Sequence, residues 1–422
     1  MEKHPKIVIV GTQPYNKSVQ SRAFDSYFHN WEKENLAQVF SDSRIPPQGH
    51  CGTLFQITDK RLIRRLYSKT ETGLVLNYDD LPEEVAIGSR GFAPKHRGAF
   101  WHLARKAVWR KRLWNTKAFN DWLEAFKPDI VFLAWSRDFF IFDISIYIAQ
   151  KFDIPIILSI TDDYVFDRHF SFSPLYWIYQ NQYQRMVRRL MKMKVFGSFE
   201  TEKIKALYQS RFGIPSKVQY IATNLKPVFN EWIGPIKTIR YFGNLESGRF
   251  ESLCDVAKEI AAIDPTLTLE VYSKDYERYS KRHVPSLALK PPVAYAEVVA
   301  MMMETDLLVI VEGFKKKDVR MVRYSLSTKV ADTLASGRPI LAYGDKETGA
   351  LDFLIENKCA VSTTSRKELH EALSGLLDGS LDTAPSRIQA YVTSQKFFNL
   401  EEQAAEFEKF ALEIKNGGSA KQ

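Results

Sequence analysis

Apolar residues in this chain gather into short runs separated by longer amphipathic stretches. Runs at 6–10, 130–134, 154–160, 194–197 and 218–222 predict strands, with helical stretches between them such as 22–34 and 174–191. The pattern then restarts. Strands are predicted at 238–242, 267–272, 306–311, 340–342 and 360–362, and helices near 250–263, 294–303 and 327–336. Short apolar strands alternating with helices argue parallel sheets covered on both faces. The restart near Thr238 argues two such doubly wound domains, 1–225 and 236–395. The stretch 224–235 carries Pro227, Gly234 and Pro235 and reads as the linker. Leu400, Ala404, Phe407, Ala411 and Ile414 recur at helical spacing within 396–422, and the Gly-, Ser- and Lys-rich end after Lys415 reads as a frayed tail.

The most informative segment is 327–340, Ser-Thr-Lys-Val-Ala-Asp-Thr-Leu-Ala-Ser-Gly-Arg-Pro-Ile. Ser327 or Thr328 is placed to cap a helix start by accepting a backbone N–H. Gly337 is placed to end the helix in the left-handed conformation. A helix start offers N–H groups and partial positive charge, which suit a phosphate. Asp332, about a turn in, is expected at the ligand surface rather than in the core, within reach of a sugar hydroxyl beside that phosphate. Together these point to a nucleotide-sugar site. The alternative is a capped helix of an α/β domain with an incidental acid.

Length and composition bound the rest. With 422 residues the chain holds enough sequence for two cores, and its apolar and charged fractions are those of an ordinary globular protein. No apolar run approaches the roughly 18 residues that span a bilayer. The start lacks a signal-peptide core, so a cytoplasmic location is expected. Cys51, Cys254 and Cys359 are widely spaced, and the histidines form no ligand spacing, so neither a disulfide framework nor a metal centre is expected. The net charge of +9 is uneven: between Val85 and Asn120 there is no acid, while Arg90, Lys95, Arg97, Arg105, Lys106, Arg110, Lys111, Arg112 and Lys117 all lie there. In helical projection, Phe100, Leu103, Ala104, Ala107, Val108 and Trp114 form an arc that is expected to pack on the domain. Arg105, Lys106, Arg110 and Arg112 share the opposite arc with Trp109 and Leu113. That mixture of cations with an exposed Trp and Leu suits an anionic inner membrane surface, met through residues 100–117; the alternative is a charged, solvated helix. Nucleic acid is a poorer partner, since no recognised module frames the stretch.

Segment 327–340 resembles the signature of GT-B glycosyltransferases of the family-4 type, roughly S-T/P-K-hydrophobic-x-E-Y-L-A-S/A-G-K/R-P-I. Residues 293–299 and 306–309 look like the helix and strand that precede it, and 212–224 is similar to that family's last unit of the N-terminal domain. The resemblance implies a GT-B fold, two doubly wound Rossmann-like domains facing a cleft, with the last helix crossing back to the N-terminal domain. It gives Asp332 the ribose diol, although the family usually has Glu there. Many members carry a second Glu eight residues earlier; that position is Tyr324, and the nearest upstream acid, Glu312, stands at another spacing. The implied activity is metal-independent, retaining transfer of a hexose from a UDP- or GDP-sugar to a hydroxyl of a glycan, in bacterial surface-polysaccharide synthesis. The acceptor is expected to be lipid-linked and presented at the inner membrane face. The Ser-Thr-Lys variant resembles the surface-polysaccharide subgroup. A nucleotide-sugar 2-epimerase or a non-catalytic subunit on the same fold are the alternatives.

Loops after strands are where such folds bind ligands. Gly243 and Asn244 open the first of these in the second domain, and Arg249, at its end, is placed to fork onto a diphosphate; Lys329 adds to that charge. The loop 291–295, ending in Tyr295, is expected to read the base. In the first domain, Gly11, Thr12 and Gln13 follow the first strand, and the resemblance puts that loop on the acceptor side. Asp162 and Asp163 follow a later strand, where an acid can orient a hydroxyl or take its proton. That pair is similar to the metal-binding acids of the other glycosyltransferase fold, GT-A, which lacks a signature helix of this type. Asp79 and Asp80 read as a turn.

Overall fold

A computed structural model describes residues 4–15, 22–44, 50–77, 98–166, 169–229 and 234–417. Lys17, Ser18, Asp79, Asp80, Arg90, Lys95, Arg97, residues 230–233 of the expected linker and most of the tail lie outside the described residues. The chain divides into two compact units, one of Met1–Gln219 with Ala404–Gln422 and one of Tyr220–Gln403.

The first unit is built on eight strands: β1 (Ile7–Val10), β2 (Leu36–Phe40), β3 (Thr53–Ile57), β4 (Gly73–Asn77), β5 (Ile130–Ala134), β6 (Ile156–Ile160), β7 (Val195–Phe199) and β8 (Ser216–Val218). Their order in the sheet is β4-β3-β2-β1-β5-β6-β7-β8. All neighbours are parallel except β3 and β4. The apolar runs of β1, β6 and β7 are buried along their whole length, as a sheet covered on both faces requires. The order in which strands are added reverses between β1 and β5, which stay parallel; this is the kind of switch point where doubly wound sheets open a crevice. From Ala404 onward the last helix, Leu400–Lys415, belongs to this unit. Its Phe407 meets Tyr27 and Phe28 edge-on, at ring separations of 4.9 and 5.5 Å.

Several strands were not legible. The helix expected over 22–34 stops at Phe28, and a short 3-10 turn leads directly into β2. Gln38 breaks the apolar run of β2, yet it is buried because it is used twice. Its amide accepts from the Tyr15 N–H (2.7 Å) and donates to the Gln13 carbonyl (2.8 Å), locking the loop after β1 to β2.

The second unit holds β9 (Ile239–Phe242), β10 (Leu269–Tyr272), β11 (Leu287–Lys290), β12 (Leu307–Val311), β13 (Ile340–Tyr343) and β14 (Val361–Thr363), in the order β11-β10-β9-β12-β13-β14, all parallel. Here the switch point lies between β9 and β12. The segment after Tyr220 is bonded within this unit: the Thr223 N–H reaches the Phe398 carbonyl at 3.0 Å, and that of Val228 reaches Ala335 at 3.0 Å.

The basic stretch is not one helix, and only part of it faces as expected: Trp114 is buried and Arg110 and Arg112 are exposed, but other positions differ. Helix Ala99–Val108 ends at Trp109, and a separate turn, Lys111–Trp114, follows. Trp109 is only 3% exposed and Leu113 is buried. The Trp109 indole stacks on Phe140 at 3.8 Å and donates to Asp59. Arg105 also points inward, to Asp59 (2.9 Å), to Ser41 (3.1 Å) and to Asp138, with its guanidinium over Phe140 at 4.7 Å. Acids from distant parts of the chain therefore claim Arg105 and Trp109, two members of the arc expected to face a membrane. Phe100 and Ala107, expected to pack inward, are exposed.

Candidate functional site

In the second unit, β9 and β12 deliver side chains to adjacent loops at their carboxyl ends. After β9 the backbone turns through Gly243, at φ 153°. A Cβ at that position would lie 3.0 Å from the Tyr241 hydroxyl and 3.2 Å from Lys329 Nζ, so glycine keeps backbone open beside a cation. The loop ends at Gly248, and helix Arg249–Ile263 begins. Gly313, just after β12, packs against this loop; its Cβ would fall 2.4 Å from the Ser247 carbonyl oxygen.

Arg249 is buried at the helix start. It donates to Asn244 Oδ1 at 2.6 Å and to Glu312 Oε1 at 2.9 Å. Glu312 directly follows β12 and is 1% exposed. This is a buried pair whose geometry fixes the guanidinium while its partner offsets the charge. Lys329, from helix Thr328–Ala335, donates to the Tyr241 hydroxyl at 2.8 Å, with its ammonium 4.3 Å from that ring's centre. The Tyr241 hydroxyl in turn donates to the Asn244 carbonyl at 2.7 Å. Lys329 is half-buried as a residue, yet its ammonium is desolvated. Loss of water, with the Arg249 charge nearby, lowers its pKa to about 7 against the opposing pull of Glu312. Burial likewise raises the Tyr241 phenol above its ordinary range.

One turn on from Lys329, Asp332 is 3% exposed. Its Oδ1 accepts from the Thr223 hydroxyl at 2.6 Å and from the Tyr295 hydroxyl at 3.1 Å. This corrects the expectation of an acid standing outside the core. Tyr295 enters through its phenol on Asp332, a contact beyond the base reading expected of its loop. Ser327 occupies the cap position of the helix, but its side chain makes no capping hydrogen bond, and Thr328 is exposed at the first helical position. Gly337 does take the left-handed conformation, at φ 71°.

The structure thus gathers Gly243, Asn244, Arg249 and Lys329 into one cluster; Asp332 lies beside it on the same helix face as Lys329, and Tyr295, from a separate helix, joins Asp332. Tyr241, Glu312 and Thr223 are the additions. Glu312 had a visible signal, an acid ending an apolar strand and followed by glycine. Tyr241 and Thr223 had none, because their partners lie 88 and 109 residues away in sequence.

The remaining expected residues belong to the first unit. Gly11 donates its N–H to Val39 (3.1 Å), and the Thr12 carbonyl accepts from Ser41 and Asp42 at 3.2 and 2.9 Å. Gln13 receives the Gln38 amide. Asp163 is committed to its own loop: it accepts from the N–H groups of Val165 (3.0 Å) and Phe166 (3.1 Å) and from the Tyr208 hydroxyl (3.3 Å). That use as a turn former competes with a role as base, so the two acids are not equivalent. Asp162 accepts from the Tyr164 hydroxyl at 3.1 Å. Among the described residues no group of three His, Cys, Asp or Glu side chains is arranged to hold a metal ion, and no helix is long and apolar enough to cross a membrane.

No protein-family model matches the chain, and no curated protein matches it. Solved structures do. Sucrose-phosphate synthase from Thermosynechococcus elongatus is similar at a TM-score of 0.62, with 10% identity over 98% of this chain and 99% of that one. Alr3699/HepE of Anabaena, in complex with UDP and glucose, is similar at 0.60, with 11% identity over 96% and 99%. WaaG, a glycosyltransferase involved in lipopolysaccharide biosynthesis, is similar at 0.54, with 11% identity over 98% and 100%. At these identities the likeness shows the architecture alone: the fold of this chain is GT-B, two parallel-sheet α/β domains.

Proposed function

We propose that this chain is a glycosyltransferase that uses a nucleotide-diphosphate sugar. The observation that carries the reading is the convergence of Arg249 and Lys329 beside the open backbone of Gly243, with Asp332 one helical turn further. Two cations at helix starts suit a diphosphate, and they suit it better as charge builds on the leaving group. They do for the departing diphosphate what a divalent ion does in metal-dependent enzymes. Asp332 meets the ribose diol by exchanging the Thr223 and Tyr295 hydroxyls for those of the sugar. Tyr295 is then placed at the nucleoside end. UDP, UDP-glucose and glucose in the HepE structures support a UDP-sugar as the first donor to try.

On the acceptor side we assign Asp162, after β6, to orient a hydroxyl, together with the Gly11, Thr12 and Gln13 loop that follows β1 of the same sheet. We take the acceptor to be a glycan, lipid-linked and presented at an anionic inner membrane surface, and the outcome to be retention. The role in surface-polysaccharide synthesis rests on the resemblance of 327–340.

The test is a screen of UDP- and GDP-sugars for thermal stabilisation, followed by release of nucleoside diphosphate with chelator present. Slow release without acceptor supports a transferase. Epimerised donor without release would indicate an epimerase, and tight binding with neither would indicate a non-catalytic subunit. Arg249→Ala is expected to lower turnover about a hundredfold, the range for losing one donor to transition-state charge. Activity that needs manganese would overturn the metal-free reading.

A further inference from the structure

Two helices of the first unit, Ala99–Val108 and Pro174–Leu190, run side by side in the same direction. The His102 ring lies 5.2 Å from that of Tyr179, and Lys106 donates to Gln182 at 2.7 Å, so the contacts advance together along both helices. Their N-terminal ends therefore share one end of the pair. That end is apolar and exposed. It presents Phe100 and Trp101 from one helix, Leu175 and Ile178 from the other, and Phe170 and Phe172 from the loop before the second. Phe172 is 92% exposed and Phe170 is 75% exposed, far more than isolated surface aromatics need be.

The other end of the pair is basic. Leu175, Ile178, Gln182, Arg185 and Arg189 recur at three- and four-residue spacing, so they form one stripe of the second helix, apolar first and cationic last. Arg185, Arg188 and Arg189 are exposed. Neither helix contains an acid, nor does the turn Lys111–Trp114. The carboxylate these cations do face is Asp143, from the neighbouring helix Phe139–Phe152; it pairs with Arg189 at 3.1 Å and lies near Lys106 and Lys111.

We propose that the helix pair docks on an anionic lipid bilayer, the aromatic tip at its N-terminal end in the interface and the cations further along it among the headgroups. Charge complementarity selects this partner: Arg185, Arg188 and Arg189, on a helix without acids and outnumbering the Asp143 that faces them, repel a second copy of themselves, while exposed aromatics beside cations fit a headgroup layer. The spacing also fits. Ile178 and Arg185 are seven residues apart, about 10 Å along a helix, comparable with the depth over which the interface changes from apolar to charged. This gives the lipid-linked acceptor of the proposed function its membrane contact. Vesicle binding is measured without donor or acceptor, so either reading can fail alone.

The test is co-sedimentation of the full chain with vesicles of phosphatidylcholine alone or mixed with phosphatidylglycerol. Binding is expected only with the anionic lipid, weakening as salt shortens the screening length. Phe170→Ser/Phe172→Ser and Arg185→Glu/Arg188→Glu are each expected to weaken it by at least about tenfold. Ile388→Ser, an exposed apolar position of the second unit, is expected to leave it unchanged. All these sites are at the surface, and an unaltered circular dichroism melt confirms the fold. Binding indifferent to lipid charge, or retained in both double variants, overturns the proposal. So does a dimer in analytical ultracentrifugation that Phe170→Ser/Phe172→Ser dissolves, since the patch would then be an interface between copies.

Discussion

Lys329 shows how one residue's surroundings set its chemistry. Burial beside Arg249 leaves its pKa near 7, so neutral and charged forms coexist around neutral pH. A diphosphate favours the ammonium and would raise that pKa on binding. The sign follows: affinity is full below about pH 7, where the free site is already charged, and falls toward tenfold per pH unit above it until the bound-state pKa is reached. Calorimetry with a nucleotide sugar from about pH 6 to about pH 9 checks this; the sugar ester lacks the secondary phosphate ionisation near 6 that would confuse a free nucleotide. Proton uptake should accompany binding near pH 8, and Lys329→Met should flatten the profile. A flat wild-type profile would remove Lys329 from the diphosphate. Asp332 makes a second point. Asp332→Ala leaves the Thr223 and Tyr295 hydroxyls without their acceptor, so we expect a loss of about 1–3 kcal/mol in stability as well as weaker donor binding. A variant with the wild-type denaturation midpoint would show that the buried acid is not structurally engaged. The acid was legible from its place on the signature helix, but its burial was not, because Thr223 and Tyr295 come from separate segments.

At the scale of elements, the helix Ala99–Val108 is the instructive case. Its sequence gives two plausible arcs, and periodicity alone favours burying Leu103 and Val108 over Arg105 and Trp109. Asp59 and Asp138 decide otherwise, since each offers an inward-facing arginine a charge partner, and Phe140 offers the indole a stacking surface. We therefore expect Trp109→Ala to cost about 3–5 kcal/mol of stability in the first unit, the usual range for deleting a buried aromatic. Denaturant unfolding checks this; a change within about 0.5 kcal/mol would mean the residue behaves as a surface position. A smaller element gives a sharper steric forecast. Gly313→Ala puts a Cβ 2.4 Å from the Ser247 carbonyl, where only backbone can yield. It is expected to displace the 243–248 loop and weaken donor binding while the β12 strand persists, which a thermal-shift titration reads directly.

Across the whole molecule, the last helix belongs to the unit that begins the chain. Phe407, Phe410, Ala411 and Ile414 complete a core around Tyr27, Phe28 and Phe132. Phe407→Ala should destabilise the first unit by about 3–5 kcal/mol. With two cores in one chain, its melt should then separate into two transitions rather than shift as one. A single, unshifted transition would contradict that assignment. The alternation of apolar runs determined two parallel-sheet domains and a restart near Thr238, because fully buried strands between amphipathic helices leave a local and repeated pattern. The same local signals placed Gly337, the strand before Glu312 and the helix carrying Lys329 and Asp332. What only the tertiary structure decided were the pairings between distant segments: Arg249 with Glu312, Lys329 with Tyr241, Asp332 with Thr223 and Tyr295, and Arg105 with Asp59 and Asp138. Periodicity reports which face of an element is apolar. It carries no information about which polar partner, a hundred residues away, makes burying a charge cheaper than leaving it in water.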